Sequence, residues 1–253
     1  MTLHPEFKDY FSGDSEAYAR YRPDYPPGLF EYLASLVDLP DLAWDAGTGN
    51  GQAAVGLADH FHLVVATDAS AAQLASAVPH PRVHYRLSLA QASGLESGTV
   101  ALATAAQAIH WFDREQYFAE VTRVLRPGGV LAVWGYGDLT MDNAKLEAIV
   151  HRLSKETVGR WWTTDRALVD EHYASVSLPF PELVPPTFAL KANWTLVELV
   201  GYLATWSAVR RYREDQQVDP IPPVAGELAA GWGEPDLRHQ IKWPLFLRVS
   251  RKP

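Results

Sequence analysis

Residues 42–52 read Leu42-Ala43-Trp44-Asp45-Ala46-Gly47-Thr48-Gly49-Asn50-Gly51-Gln52. A short apolar run and one carboxylate precede three alternating glycines, and a helix-like segment follows them. This pattern predicts a strand that turns sharply into a helix over a bound ligand. Because glycine adopts positive φ and lets the backbone approach a ligand closely, Gly47, Gly49 and Gly51 are expected to turn amide groups toward that ligand.

The charge and spacing of this loop indicate what kind of ligand it binds. A dinucleotide fingerprint has a third glycine or alanine three residues after the second glycine, and that position is Gln52. Asp45, two residues before Gly47, repels a pyrophosphate but attracts the ammonium group of an amino-acid moiety. The loop therefore favours a cationic ligand over a phosphorylated dinucleotide.

A second carboxylate follows at a suitable distance. Residues 61–67 form an apolar run that ends in Asp68, and Ser70 is a candidate N-cap for a helix over residues 71–77. A carboxylate at the end of a strand, about 20 residues beyond a glycine loop, is placed to accept hydrogen bonds from two ribose hydroxyls. Alone, Asp68 would more simply cap a turn, but together with the glycine loop we interpret it as a ribose ligand.

Composition limits the classes of protein that fit. The chain has 253 residues, a net charge of −8 and no cysteine, which fits one α/β domain with insertions and excludes a disulfide framework or a cysteine nucleophile. The acidic balance disfavours extensive contacts with nucleic acid. Residues 1–10 lack the apolar segment of a signal peptide, and no apolar run is long enough to span a bilayer. We therefore predict a cytoplasmic protein without nucleic-acid or membrane partners.

Strand-like and helix-like segments alternate along most of the chain. Predicted strands follow at residues 83–87, 100–105, 130–134, 188–196 and 239–249, and predicted helices at 26–40, 115–125, 142–159 and 196–211. Alternation of this kind implies a parallel sheet with right-handed crossovers. Pro244 predicts an edge or a bulge in the final strand. We predict one domain over residues 1–253: an N-terminal lid at 1–25, a cofactor-binding core at 26–140, a cap insertion at 141–187, and further sheet and cap elements at 188–253.

Several short motifs resemble those of class I S-adenosylmethionine-dependent methyltransferases, in particular the small-molecule branch that includes trans-aconitate methyltransferase-like enzymes. The matching stretches are Tyr18 with residues 22–26 (Arg-Pro-Asp-Tyr-Pro), 45–51, 67–70 (Thr-Asp-Ala-Ser), 107–113 (Gln-Ala-Ile-His-Trp-Phe-Asp), 126–129 (Arg-Pro-Gly-Gly) and 205–208 (Thr-Trp-Ser-Ala). The resemblance implies an α/β, Rossmann-like fold: a seven-stranded, mostly parallel sheet with helices on both faces and an antiparallel last strand. It also implies S-adenosylmethionine as cofactor and no metal.

The resemblance carries over to individual positions of the cofactor site. The residues expected to contact the cofactor are Tyr18, Arg22, Asp45, Gly47, Gly49, Gly51, Asp68, Ala69, Leu89, Ala90 and Gln107. Tyr18 or Arg22 is expected to meet the carboxylate end of the cofactor, although the N-terminal segment fits an arm packed on the sheet equally well. Many relatives have an acidic residue after the third strand, whereas this chain has Ser88-Leu89-Ala90-Gln91, so backbone amides are expected to bind the adenine there.

Residues 107–113 are expected to border the methyl group and its acceptor. His110 is a candidate general base, because a reference pKa of about 6.5 lets imidazole accept a proton near neutrality; the alternative is that it hydrogen-bonds a neighbour and shapes the pocket wall. Arg160, Trp161 and Trp162, together with Arg210, Arg211 and Arg213, would hold an anionic or flat acceptor or, alternatively, belong to the cap core and a solvated helix end.

The function predicted from these patterns is transfer of a methyl group from S-adenosylmethionine to a small molecule, at oxygen. The rival interpretations are a methyltransferase that acts on a macromolecule, a non-catalytic binding protein with the same fold and, more distantly, a nicotinamide-dependent dehydrogenase. The sequence leaves the acceptor and the oligomeric state open.

Overall fold

The computed structural model describes residues 23–234 and 236–253. Tyr18, Arg22 and most of the predicted lid lie outside the described residues. The strands are β1 Leu42–Ala46, β2 Leu63–Asp68, β3 Val83–Leu87, β4 Val100–Ala106, β5 Leu125–Tyr136, β6 Thr140–Met141, β7 Glu182–Leu183, β8 Phe188–Trp194 and β9 His239–Arg251. They form one sheet in which the order β3-β2-β1-β4-β5-β9-β6 is continuous and β7 and β8 also pair with β9.

Helices connect these strands. They are α1 Pro27–Ser35, α2 Gln52–Ala58, α3 Ala71–Ala75, α4 Arg114–Val124, α5 Ala144–Arg152, α6 Arg166–Asp170, α7 Leu196–Ala204, α8 Ser207–Gln216 and α9 Ile221–Trp232. Short 3₁₀ turns lie at Ile109–Trp111 and Gly159–Trp161, and a π-helical turn at Leu153–Thr157 extends α5. Side chains N-cap several helices: Ser70 accepts from the amide of Gln73 at 3.3 Å, as the sequence predicted.

Strand β1 lies at the centre of the parallel part of the sheet. It pairs in parallel with β2 on one side and with β4 on the other. The chain therefore leaves β1 toward one edge of the sheet and leaves β4 toward the opposite edge, which opens a crevice at their carboxyl ends. Alternate residues of β1 enter the two apolar layers: Ala43 packs on the side of α1 and α2, and Trp44 on the side of α4.

Strands β8 and β9 complete the sheet as expected. Strand β9 runs antiparallel to β5 over Leu245–Arg251 and antiparallel to β8 over His239–Leu245. Within residues 23–234 and 236–253, seven strands longer than two residues thus make up the predicted sheet with an antiparallel last strand. Pro244 pairs only with Ala189 of β8, because the ladder to β5 ends at Leu245 and that to β6 at Lys242. Proline has no backbone N–H to donate to a neighbouring strand. Pro244 therefore lies at a position of β9 that has a partner strand on one side only.

Two local predictions were wrong. Residues 126–129 do not separate the helix predicted at 115–125 from the strand predicted at 130–134. Strand β5 begins at Leu125, directly after α4, and includes the Arg-Pro-Gly-Gly segment, with a register shift against β4. The helix predicted over 196–211 is two helices, because the chain bends at Thr205 and Trp206. The Trp206 ring is buried against Tyr202 at this bend, so tertiary packing overrides the continuous helical pattern.

Tyr117 on α4 is fully buried in the layer around Trp44. Its hydroxyl has no hydrogen-bond partner among the residues that the structure describes. A buried, unsatisfied hydroxyl opposes folding, so Tyr117→Phe is expected to stabilise the protein by about 1 kcal/mol, measured by urea unfolding. Tyr202→Phe is the matched control: the Tyr202 hydroxyl accepts from Trp243 Nε1 at 3.0 Å, and its removal should destabilise the protein. A loss of stability in both variants would contradict the assignment.

Candidate functional site

A cavity of about 900 Å³ opens at the carboxyl ends of β1, β2, β4 and β5. This is the edge at which open α/β sheets bind ligands. Its walls come from the glycine loop, from the loops after β2, β3 and β4, and from the segment around 163–165. The predicted site residues that line it are Gly47, Gly49, Asp68, Ala69, Leu89, Ala90, Gln107 and His110; Asp45 and Gly51 do not line it.

The glycine loop has the backbone conformation that its sequence predicts. Gly47, Gly49 and Gly51 have φ values of +66°, +58° and +88°. At Gly47 a Cβ would lie 2.7 Å from Ala108 Cβ and 2.8 Å from Phe112 Cζ, so the loop packs against the turn that follows β4. Gly51 is the left-handed N-cap of α2, and a Cβ there would meet the Tyr85 hydroxyl, so this glycine serves packing rather than the cavity.

The contacts of Gly47 give a testable expectation. Gly47→Ala combines a left-handed backbone with a steric clash, so we expect a loss of about 2 kcal/mol in unfolding free energy and weaker cofactor binding. Gly128→Ala is the matched control, since Gly128 has φ +76° but a Cβ added there would meet no described atom within 4 Å; it should lose only about 1 kcal/mol. Equal losses in the two variants, measured by urea unfolding, would show that the Phe112 contact is unimportant.

Asp68 joins two loops at the end of β2. One carboxylate oxygen accepts from the amide of Gly49 at 2.8 Å, and the other accepts from the amide of Ser70 at 2.8 Å. A carboxylate offers about four acceptor positions, so Asp68 can hold both loops and accept further bonds from a ligand. Its half-buried position in the cavity wall is that expected of a ribose ligand.

Asp45 lies beneath the loop instead of in the cavity. Its carboxylate is fully buried and accepts from the hydroxyls of Thr48 at 2.6 Å and Thr104 at 2.7 Å. Burial raises the pKa of Asp45 to about 6; the two hydroxyl bonds oppose this rise, and the charge of Asp68 adds to it. The Asp45 carboxylate is therefore not part of the cavity wall, where the sequence analysis expected it to meet the cofactor.

The loop after β3 forms the end of the cavity next to Asp68. Ser88, Leu89, Ala90 and Gln91 all line it. The amide of Ser88 donates to the carbonyl of Asp68 at 2.9 Å, which fixes this loop to the end of β2. The Ser88 hydroxyl donates to the carbonyls of Leu89 and Ala92, so this side chain is committed to the loop and Gln91 is the polar side chain of this wall.

Gln107 stands where β4 leaves the sheet. It has φ +52°, a conformation that is uncommon outside glycine. Its amide donates to the carbonyl of Trp134 at 2.8 Å, and its Nε2 donates to the carbonyl of Tyr136 at 2.8 Å. These two bonds to β5 hold the strained residue in place, and strain at a ligand-facing strand end is a common sign of a functional position.

His110 lies in the 3₁₀ turn after β4 and is nearly buried in the cavity wall. Its Nδ1 is 2.8 Å from the hydroxyl of Tyr173. Burial, with a smaller contribution from the Arg166 guanidinium, lowers the pKa of His110 to about 3. The ring is therefore neutral and only weakly basic at neutral pH, which favours its role in the pocket wall over that of a general base.

The cap contributes to the cavity through residues 163–165 and through Arg211 on α8. Arg211 Nη1 donates to the carbonyl of Trp161 at 3.2 Å. The other predicted cations point elsewhere: Arg213 pairs with Asp219 at 2.9 and 3.1 Å, and Arg160 lies 4.0 Å over the ring of Trp161. Of the six cap residues considered from the sequence, Arg211 is thus the one in the cavity wall.

Several cavity residues were missed by sequence reasoning. These are Thr163, Thr164 and Asp165, which lie in a segment without periodicity. Tyr173, which is not in the cavity wall but contacts His110 from behind it, is 63 residues away from His110 in the chain. The aromatic richness of residues 160–173 was the only signal for them. Tyr25, seen in the sequence as part of a motif, lines the cavity and packs edge-on against Trp134 at 5.7 Å.

Residues 23–234 and 236–253 contain no cluster of three or more histidine, aspartate or glutamate side chains arranged to hold a metal ion. None of their helices has the length and apolar character needed to cross a bilayer.

Comparisons with known proteins agree with this geometry. A family profile described as a methyltransferase domain matches residues 44–133. A protein of Dictyostelium discoideum named as a methyltransferase is 31% identical over 253 residues, covering 98% of this chain and 96% of its own length. Methyltransferase cfoB of Aspergillus candidus is 32% identical over 231 residues, covering 85% of this chain and 71% of its own length.

A solved structure is also similar over nearly its full length. It is described as a type II methyltransferase from Anaeromyxobacter dehalogenans, with a TM-score of 0.86 and 39% identity, and the match covers 91% of this chain and 98% of that chain. The glycine loop, the carboxylate of Asp68 and the size of the cavity fit the cofactor of this family. The chain belongs to the class I S-adenosylmethionine-dependent methyltransferases and uses S-adenosylmethionine as its methyl donor.

Proposed function

We propose that this enzyme methylates a small molecule at oxygen, and that the acceptor group is a carboxylate. When bound, S-adenosylmethionine supplies a methyl group on a sulfonium, which is already a strong electrophile. The chain's own residues then have to hold the acceptor oxygen in line with that methyl group, and alignment of this kind supplies on the order of 7 to 11 kcal/mol. The resemblance to trans-aconitate methyltransferase-like enzymes supports the same acceptor class.

The cofactor contacts are part of the proposal. The glycine loop at Gly47 and Gly49 would hold the methionine portion, Asp68 and Ala69 the ribose, and Leu89 and Ala90 the adenine. Gln107 would border the reacting end, and Asp45 would act on the ammonium group through the loop. Tyr18 and Arg22 remain proposed ligands of the cofactor carboxylate.

The size of the cavity supports a small acceptor. Sites for small molecules and cofactors span roughly 300 to 1,000 Å³, and this cavity, at about 900 Å³, is near the upper end of that range. It therefore has room for a cofactor and a compact second ligand together. The net charge of −8 also favours a small molecule over a nucleic acid as acceptor.

The observation that carries the choice of a carboxylate is the setting of His110, whose ring is nearly buried and whose Nδ1 is already occupied by the Tyr173 hydroxyl at 2.8 Å. A phenol or an ammonium group must lose a proton before it attacks a methyl group, whereas a carboxylate is ionised at neutral pH. With its pKa near 3, His110 is a poor proton acceptor. An acceptor that ionises unaided suits this site.

Arg211 supplies positive charge to the same wall. A guanidinium has five N–H donors, so Arg211 can hold the Trp161 carbonyl and also meet an anionic acceptor. Charge-assisted bonds between arginine and carboxylate are about twice as strong as neutral ones. Asp165, elsewhere in the cavity wall, would disfavour a negatively charged group close to it.

The test is a methyl-transfer assay against pooled metabolites that are sorted into carboxylic acids, phenols and amines. Product S-adenosylhomocysteine should appear with the carboxylic acids. Arg211→Met should then raise the KM for the acceptor by about tenfold, whereas Arg213→Met, which removes a surface ion pair, should leave KM unchanged. Transfer confined to amines or phenols would refute the proposed acceptor group.

A further inference from the structure

We propose that Tyr173 is a positioning residue that fixes His110 as a neutral hydrogen-bond donor, with its proton on the Nε2 atom that faces the acceptor. The part of this inference that concerns the acceptor rests on the proposed function. The part that concerns the tautomer of His110 stands on the contacts of the two side chains alone.

Several contacts fix the position of the Tyr173 hydroxyl. Tyr173 is fully buried, and both it and His172 have left-handed backbones, with φ values of +58° and +57°. The amide of Tyr173 donates to the carbonyl of Leu168 at 2.8 Å, and its carbonyl accepts from Arg248 Nη1 at 2.5 Å. The edge of the ring packs on Phe246 at 5.0 Å. The turn that contains these two left-handed residues places the Tyr173 hydroxyl against His110.

The hydrogen-bond partners available to Tyr173 and His110 determine which of the two donates. Among the described residues, His110 Nδ1 is the sole partner of the Tyr173 hydroxyl. If Nδ1 carried the proton, the phenol would have to accept, and its own proton would be left buried without an acceptor. An unsatisfied buried donor is unfavourable, so the phenol donates to a bare Nδ1. The proton of the neutral ring is then on Nε2.

The surrounding charges keep the ring neutral. Arg166 is held by Asp138 at 3.2 Å and by Asp170 at 2.9 Å, and its guanidinium lies 4.4 Å from the centroid of the Trp162 ring. Burial and this guanidinium together hold the pKa of His110 near 3, and burial raises the pKa of the Tyr173 phenol above its usual range. The pair therefore stays a phenol and a neutral imidazole at physiological pH.

His110 Nε2 is then the N–H donor of a ring in the cavity wall. No described residue hydrogen-bonds Nε2, and the ring forms part of the cavity wall. An N–H at this place matches a carboxylate, in which one oxygen attacks the methyl group while the other accepts the hydrogen bond. It opposes a protonated amine, which offers only donors. A site that hydrogen-bonds one partner discriminates strongly against an analogue that lacks it.

The tautomer is measured by ¹⁵N–¹H NMR of protein labelled at its nine histidines, with His110→Gln to assign the signals of His110. In the wild-type protein we expect a neutral ring with the proton on Nε2 that does not titrate between pH 5 and pH 8. In Tyr173→Phe we expect a mixture of tautomers. Tyr117→Phe, the same substitution in the same apolar layer, should leave the signals of His110 unchanged. A wild-type ring protonated on Nδ1 would overturn the proposal.

A kinetic measurement tests the part that concerns the acceptor. With the carboxylate acceptor found in the screen, Tyr173→Phe should lower kcat/KM by about tenfold, mainly through KM, without displacing the pH profile, since no proton transfer is involved. The NMR spectra could show the expected Nε2-protonated ring while no carboxylic acid is methylated. That result would overturn the acceptor assignment and the proposed function, but the tautomer assignment would stand. An unchanged KM in Tyr173→Phe would overturn the role of Tyr173 in binding the acceptor.

Discussion

Asp68→Ala is expected to bind S-adenosylhomocysteine about 1,000-fold more weakly than the wild-type protein in isothermal titration calorimetry. The carboxylate is proposed to accept hydrogen bonds from two ribose hydroxyls, and each such charge-assisted bond contributes about 1.5 to 3 kcal/mol. A loss of roughly 4 kcal/mol corresponds to about three powers of ten in affinity. The variant also removes the acceptors of the Gly49 and Ser70 amides, which position the two loops against the cofactor.

Two further variants separate these effects. Asp68→Asn keeps one carbonyl oxygen for a loop amide, so we expect an intermediate loss in affinity. Asp59→Ala removes a carboxylate that is mostly exposed and pairs loosely with Arg82 at 3.7 Å, and its affinity should be unchanged. Thermal unfolding of all three shows how much of each loss comes from a loosened fold. Wild-type affinity in Asp68→Ala would remove this residue from the binding site.

Asp45→Asn is expected to be more stable than the wild-type protein at pH 7.5, by about 3 kcal/mol. Burial raises the pKa of Asp45 from 3.8 to about 6, and one pKa unit corresponds to about 1.4 kcal/mol. The folded state therefore binds this proton more tightly than the unfolded state does. The stabilising effect of the proton is full below pH 3.8 and is lost as the pH rises through 6, so the advantage of the asparagine should vanish near pH 4.

The local hydrogen bonds permit this substitution. The asparagine carbonyl can accept from Thr104 while its amide donates to the Thr48 hydroxyl. Glu120→Gln is a control of opposite sign: hydrogen bonds from Arg123 lower the pKa of Glu120 below its usual value, so removal of this charge should destabilise the protein above pH 4.5. Chemical unfolding between pH 4 and pH 8 measures both. If the Asp45→Asn protein were less stable than the wild-type protein at pH 7.5, the fold would stabilise the ionised carboxylate of Asp45 and this prediction would be wrong.

The residues that were predictable from the sequence are those whose role is set by their immediate neighbours in the chain. Positive φ at Gly47, Gly49 and Gly51 follows from the glycine spacing, and Asp68 ends its strand because the apolar run ends there. The parallel part of the sheet follows from the alternation of strand-like and helix-like segments. These features need no knowledge of distant contacts.

The residues that could not be predicted depend on packing between distant segments. The hydrogen bond between Tyr173 and His110 joins positions 63 residues apart, and no periodic pattern in the sequence predicts it. The burial of Asp45 follows from the way Thr48 and Thr104 close over it. The bend at Trp206 comes from its contact with Tyr202, which overrides a sequence with good helical periodicity.

The contact between Gly47 and Phe112 limits which residues can change when such an enzyme evolves to accept a different methyl acceptor. Phe112 lies two residues after His110, so one short turn both lines the cavity in which we propose the acceptor binds and packs against the loop proposed to hold the cofactor. Changes in that turn that admit a new acceptor would also disturb the methyl donor. We expect natural variants with altered acceptor preference to differ instead around Thr163, Thr164 and Arg211, where the cap lines the cavity.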